Sequence, residues 1–334
     1  CVSLCESFPT LFDLIDESET FELDSVDKND FQKVVDECYM CDLCYQTKCP
    51  YVPPHPWALD FPHLMLRGKA IAYQEKNKSL KQRARDSALT STDSLGKLMK
   101  LPLVDITYEA ISKSPKARKI ASKITGVHEE APWPNFEKSV KTYIPKSIEN
   151  VTATDKTTGK VALFTGCYCR NNDAELANDL LKVFEHNNIE TRVILDDKCC
   201  GMPKLDLGDL KSVENLMKHN VPKLLQEIDE GFDIISLVPS CVLMFKQELP
   251  LLFDENDDLK KIKQHIFDPF EYLSDRESKG LMNKGFKNSL GKIAYQVACH
   301  QRVQNIGPKT KELLEMVPDT EVQSIERCSG HDGT

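Results

Sequence analysis

Cysteines 38, 41, 44 and 49 stand in the order C-x2-C-x2-C-x4-C-P, closed by Pro50. Three thiolates at such short intervals can wrap one corner of a cubic iron–sulfur cluster, while a fourth, turned aside by the proline, serves elsewhere. A structural zinc ion usually draws two ligands from one knuckle and two from a distant one, so three close ligands favour iron over zinc. Cys1 and Cys5, spaced C-x3-C, have the form of the tail of an earlier run. In two-cluster ferredoxins the last cysteine of each run ligates the other run's cluster. By that rule Cys5 completes the set Cys38, Cys41 and Cys44, whereas Cys1 and Cys49 belong to a second cluster whose other two ligands lie upstream. Two features depart from the pattern: Glu6 rather than proline follows Cys5, and four residues rather than three precede Cys49.

A second constellation reads G-C-x31-C-C-G-x39-C, formed by Cys167, Cys199, Cys200 and Cys241. Adjacent cysteines seldom serve one metal ion together, but a multi-iron cluster can take both; the plainer alternative is a set of small buried hydrophobes. Cys169 reads as a bystander. A third group comprises Cys299-His300 and Cys328-Ser329-Gly330-His331, which repeats the scheme with serine in place of one cysteine. Imidazole can ligate iron, although a histidine beside such a site more commonly hydrogen-bonds to it.

The elements that must position these thiols follow from hydropathy patterning. Asp13 to Glu37 is an acidic connector, read as solvated loop rather than a docking patch, whose end from Asp27 forms a short helix. The prolines from Pro50 to Pro62 force an irregular exit, with Trp57 and Phe61 expected against the cysteine lobe. Residues 65–157 lack cysteine and show helical spacing of leucine, isoleucine and alanine, with a proline-marked loop at 131–145. Their many lysines read as solvated helix faces, docking to anionic lipid or an acidic partner being the alternative. After Lys160 strand and helix alternate. Strands are expected at Val161–Thr165, Thr191–Leu195, Phe232–Val238, Lys292–Ala298 and Glu321–Ile325. Helices are expected at Asp173–His186, Ser212–Glu230 and Lys309–Met316. This alternation favours a parallel sheet, with thiols carried to one edge by the ends of three strands. The recurrence of strand, cysteine, helix and strand hints at an internal duplication.

The expected architecture is therefore α+β and multidomain. It divides into a ferredoxin-type lobe at 1–64, a helical connector at 65–157, a first cysteine-rich repeat at 158–275 and a second, incomplete one at 290–334. The 334 residues carry a net charge of −9 and 13 cysteines. Such acidity argues against nucleic acid as the main partner. Clustered cysteines without a signal peptide argue for metal in a reducing compartment over a disulfide scaffold. The longest apolar stretch, 234–245, is broken by Pro239 and too short to span a bilayer. The chain begins with cysteine and stops just after a cysteine motif, so both ends are expected to be cut.

These motifs resemble the cysteine-rich (CCG-domain) iron–sulfur oxidoreductases, a group that includes the B and D subunits of heterodisulfide reductase and the C subunit of anaerobic glycerol-3-phosphate dehydrogenase. The resemblance implies two [4Fe-4S] clusters in the ferredoxin lobe of the full-length protein and one more in the cysteine-rich repeats. Cys1, Cys5, Cys38, Cys41, Cys44, Cys49, Cys167, Cys199, Cys200 and Cys241 are the implied metal ligands. Cys299 and Cys328 match the second repeat, where Ser329 breaks the Cys-Cys pair. Met244 occupies the place of the family's last cysteine, so a five-thiolate site is not expected here. The implied function is an electron-transfer subunit, cytoplasmic or peripheral on the inner face of the membrane, serving a partner dehydrogenase or a quinone pool. With neither a Gly-x-Gly-x-x-Gly nor a phosphate loop in the chain, nicotinamide or flavin would sit on another subunit. The alternatives are disulfide reduction at a cluster held by Cys199 and Cys200, and a zinc-bound structural module.

Overall fold

The computed structural model describes residues 5–45, 49–75, 79–125, 127–131, 133–137, 148, 150–254 and 256–327. Cys1, Cys328, Ser329, His331 and most of the loop expected at 131–145 lie outside them.

The first half is helical. Helix α1 (Ser7–Asp16) was not foreseen from the acidic connector; it forms because Leu11 and Leu14 pack against the core and Phe8 stacks on Phe61 at 4.4 Å. Helix α2 (Phe31–Asp36) buries Val34 and Val35 and ends just before Cys38. Helix α3 (Phe61–Gln74) runs across the boundary expected at residue 64, with Asp60 capping the His63 amide and Pro62 in its first turn. Four short helices follow: α4 (Leu80–Thr90), opened by a Ser79/Gln82 capping box, then α5 (Thr92–Met99), α6 (Pro102–Lys113) and α7 (Pro115–Thr125). Trp57 is 66% exposed, contrary to the expectation that it packs inward. It meets Tyr51 and His55 instead, because the proline-rich exit leaves it on the surface.

The second half is α/β. Strands β1 (Lys160–Leu163), β2 (Glu190–Val193), β3 (Asp233–Ile235) and β4 (Ile266–Phe267) form one parallel sheet in the order β2-β1-β3-β4. Val161, Ala162, Leu163 and all of β3 are buried, as strands covered on both faces must be. Between β1 and β2 lie α8 (Gly166–Asn171) and α9 (Glu175–His186). Between β2 and β3 lie α10 (Met202–Asp206) and the long α11 (Leu210–Asp229), capped by Asp209. Next come α12 (Pro239–Leu243), a π-helical turn at Met244–Glu248, α13 (Leu249–Leu252) and α14 (Asp257–His265), with α15 (Pro269–Ser278) after β4. A separate two-stranded parallel sheet pairs β5 (Gly291–Gln296) with β6 (Thr320–Ile325) around α16 (Cys299–Arg302) and α17 (Lys309–Leu314).

The chain is thus mostly helical in its first part and carries parallel sheets in its second. One hydrophobic core joins them: Cys38, Met40 and Leu43 pack in the same cluster as Phe164, Cys200, Cys241, Met244 and Phe245.

Candidate functional site

Two thiol sites share this core. The first is a tight turn. Met40 and Asp42 adopt left-handed backbone at φ 49° and 55°, which costs about 1–3 kcal/mol at each non-glycine position. These two residues alternate with the cysteines, so the chain folds back after each one. The Met40 amide donates to the sulfur of Cys38, and the Leu43 amide to that of Cys41. Burial pushes Cys38 up to about 11 and Cys41 up to about 12, and raises Cys44 as well. Neighbouring thiols raise them further. Cys44 feels Cys41, Cys38 and Cys5, Cys38 feels Cys5, and Cys41 feels Cys299. The fold therefore brings Cys5 to Cys38 and Cys44 despite a gap of more than 30 residues. Cys49 and Cys44 line an apolar cavity of about 200 Å³ with Phe8, Tyr51 and Phe61.

A buried polar group braces this turn. Asp42, 1% exposed, is held well above the usual carboxylate range by burial and then by the facing Glu248. His63 joins Asp60 at 2.8 Å to Glu248 at 3.1 Å. Burial opposes a charge on this ring, yet the two carboxylates prevail and raise it to about 10.

The second site lies where β1, β2 and β3, neighbours in the sheet, end on the same edge. Cys167 follows β1 at the start of α8, Cys199 and Cys200 follow β2, and Cys241 lies in α12 after β3. Cys167 Sγ and Cys199 Sγ are 3.7 Å apart. Cys200 hydrogen-bonds to both Cys199 and Cys241, so the four thiols form one chain of contacts. Cys199 accepts from Cys167, Cys200 and the Gly201 amide, which lowers it well below an ordinary thiol, while Cys167 and Cys200, the donors, are raised. Cys199, Cys200 and Cys241 are each 3% exposed. Gly201 sits at φ 106°, and a Cβ there would meet the Met244 methyl at 3.4 Å. The thioether therefore closes this site from one side. Cys169, 2% exposed, packs in the neighbouring core cluster as a small hydrophobe.

Several supporting residues were not legible in the sequence. The α5 N-terminus reaches the sheet edge: Asp93 Oδ2 accepts from the Cys199 amide at 2.8 Å, and the buried Thr92 hydroxyl adjoins Cys167 and Cys199. Asp197 accepts from the Gly166 amide at 2.8 Å and from Thr165, and pairs with Arg170. A Ser-Thr-Asp string opening a helix was the only available signal, and it is common at caps. His300, considered as an iron ligand, has both ring nitrogens engaged with Ser240 and Met40. It is a hydrogen-bonding neighbour.

Among the described residues no group of three or more His, Cys, Asp or Glu side chains is gathered as a single metal ion requires. The donor sets instead suit a sulfide-bridged cluster. Each consists of thiols alone, with amide donors aimed at sulfur and an apolar surround, the features by which proteins hold such clusters and tune them.

Residues 161–246 match the model of the cysteine-rich domain family, CCG. The chain carries a CCG cysteine-rich domain. The CCG domain spans β1 to the π-helical turn and contains all four sheet-edge thiols. The chain is 24% identical over 252 residues to the C subunit of anaerobic glycerol-3-phosphate dehydrogenase from Escherichia coli, covering 75% of this chain and 62% of that one. It is 26% identical over 179 residues to the B subunit of fumarate reductase (CoM/CoB) from Methanothermobacter marburgensis, covering 52% of this chain and 33% of that one. An uncharacterised iron–sulfur protein of Methanocaldococcus jannaschii is 26% identical over 176 residues, covering 52% of this chain and 32% of that one. The chain thus spans less than two thirds of these relatives. No solved structure matches it. Among the described residues, no helix is long and apolar enough to cross a membrane.

Proposed function

We propose that this chain is an iron–sulfur electron-transfer subunit of an oxidoreductase, passing electrons between a centre in the N-terminal lobe and one at the CCG sheet edge. Cys5, Cys38, Cys41 and Cys44 would hold the first, and Cys167, Cys199, Cys200 and Cys241 the second. Cys49 with Cys1 would serve a further cluster. Clusters bound there supply reversible one-electron chemistry. The residues of the chain exclude water, keep the thiols spaced, and set the potentials through the amides of Met40, Leu43 and Gly201.

The observation that carries this reading is the presence of two all-thiol sets, mostly half-buried in the lobe and mostly buried at the sheet edge, that meet through Cys38, Cys200 and Cys241 in one continuous apolar core. A substrate disulfide would have to reach sulfurs that are 3% exposed, which favours relay over disulfide reduction at Cys199 and Cys200. The names of the relatives, components of dehydrogenase and reductase assemblies, agree with a partner protein.

A quinone or lipid contact would fall on the α4–α7 helices. There a cavity of about 650 Å³ is lined by Leu89, Met99, Tyr108, Trp133 and Phe136. Leu103, Ile106, Ile120 and Ile124 lie exposed on α6 and α7, which also carry Lys113, Lys116, Lys119 and Lys123. Anaerobic reconstitution, with iron and sulfide counting and paramagnetic resonance of both redox states, tests the whole reading. Colourless protein with zinc saturating the sulfurs would overturn it.

A further inference from the structure

Between the two thiol sites stands one imidazole. His300, 5% exposed, opens α16 directly after Cys299. Its Nε2 lies 3.2 Å from the carbonyl oxygen of Met40, and its Nδ1 lies 2.7 Å from Ser240 Oγ. A carbonyl can only accept, so Nε2 carries the hydrogen; Nδ1 is then bare in the neutral ring and accepts from the Ser240 hydroxyl. Met40 sits inside the Cys38–Cys41 turn, and Ser240 immediately precedes Cys241. The segment is held in place by Gln304, whose Nε2 donates to the carbonyls of His300 and Pro239 at 2.8 and 3.3 Å.

We propose that His300 is a positioning residue that bridges the two sites, fixing their separation and providing the hydrogen-bonded connection through which they are coupled. The connection runs from Cys41 through the Met40 carbonyl, the imidazole and the Ser240 hydroxyl to Cys241. This rests on the iron–sulfur reading above. One electron leaves one centre and enters the other, and the imidazole keeps its proton throughout. His300 itself lies outside the CCG match at 161–246. The bridge comes from the second, shorter sheet unit, which gives that unit a task even if it binds no cluster of its own.

The test uses the full chain with His300→Leu, His300→Gln and Ser240→Ala. In metal-free protein, hydrogen exchange in the Cys38–Cys44 turn and at the Cys241 amide should quicken in His300→Leu and return toward wild type in His300→Gln, whose amide can both donate and accept. In iron-loaded protein, flash reduction followed by freeze-quench paramagnetic resonance reads transfer between centres. His300→Leu should slow it by about 10- to 100-fold, the range seen when a supporting hydrogen bond around a metal site is lost. Ser240→Ala should slow it less, and His300→Gln should restore most of the rate, while both centres keep their wild-type spectra. Unchanged transfer in His300→Leu with both centres intact overturns the proposal, even if exchange has quickened. If His300→Leu sheds iron, Ser240→Ala carries the test with the same two outcomes. Wild-type protein without iron signals would instead sink the underlying reading, a failure visible before any variant is made.

Discussion

The two thiol sites reach similar chemistry by opposite means. At the sheet edge, four cysteines arrive from three strand ends more than 70 residues apart, and the rigidity of parallel neighbours sets their spacing. In the N-terminal lobe, three cysteines arrive from seven consecutive residues, and the spacing is set by left-handed backbone at Met40 and Asp42. The first is a site built by topology, the second one built by local strain that outside residues must hold. Asp42 is met by Glu248 and Met40 by His300, both from the second half of the chain. The local motif therefore depends on the distant fold more than its compact spacing suggests.

The largest expected effect isolates the sheet edge. Cys199→Ser should abolish the CCG centre, since Cys199 contacts both Cys167 and Cys200, and leave the lobe's signals intact by paramagnetic resonance and iron counting. Loss of both sets of signals would mean that the sites are not separable. Next comes Cys5→Ser, which should damage the centre of the Cys38–Cys44 turn although Cys5 is remote in sequence. An unchanged spectrum and iron content there would remove Cys5 from the ligand set.

A third variant strains the joint between the halves. Gly208 has φ 82°, and a Cβ there would lie 2.5 Å from the Lys69 backbone on α3. Gly208→Ala should lower stability by about 1–3 kcal/mol, read as a reduced urea midpoint; an unchanged midpoint would show that the halves are packed more loosely than described. The smallest effect is a pH dependence. His63 is raised from an ordinary 6.5 to about 10 by Asp60 and Glu248, against the opposing effect of burial. A group raised on folding stabilises fully below its unfolded value, and that stability is lost as pH climbs through the folded one. The urea midpoint should therefore fall between about pH 6.5 and 10 in wild type and stay flatter in His63→Gln. Equal slopes would remove the ring from the link between Asp60 and Glu248.

Much of the fold was legible because its signals are local. The expected strand at 161–165 appears as Lys160–Leu163, that at 191–195 as Glu190–Val193, and the helix at 212–230 as Leu210–Asp229. Strand β4 escaped notice because it has only two residues, Ile266 and Phe267, between helices. Helix α1 escaped because it straddles the start of the acidic connector at Asp13, where Leu11 and Leu14 fall on either side of the boundary. Thr92, Asp93 and Glu248 could not be assigned to sites, since nothing in their own neighbourhoods refers to cysteines 70 to 200 positions away.

By itself, the order of residues determined which groups are available and which short segments bend or alternate, because ligand chemistry and backbone periodicity act over a few residues. Which thiols meet, which carboxylates brace them, and which imidazole stands between them was decided only in three dimensions. Burial against a shared core and hydrogen bonding across it depend on distance in space, and a linear spacing carries no record of that distance.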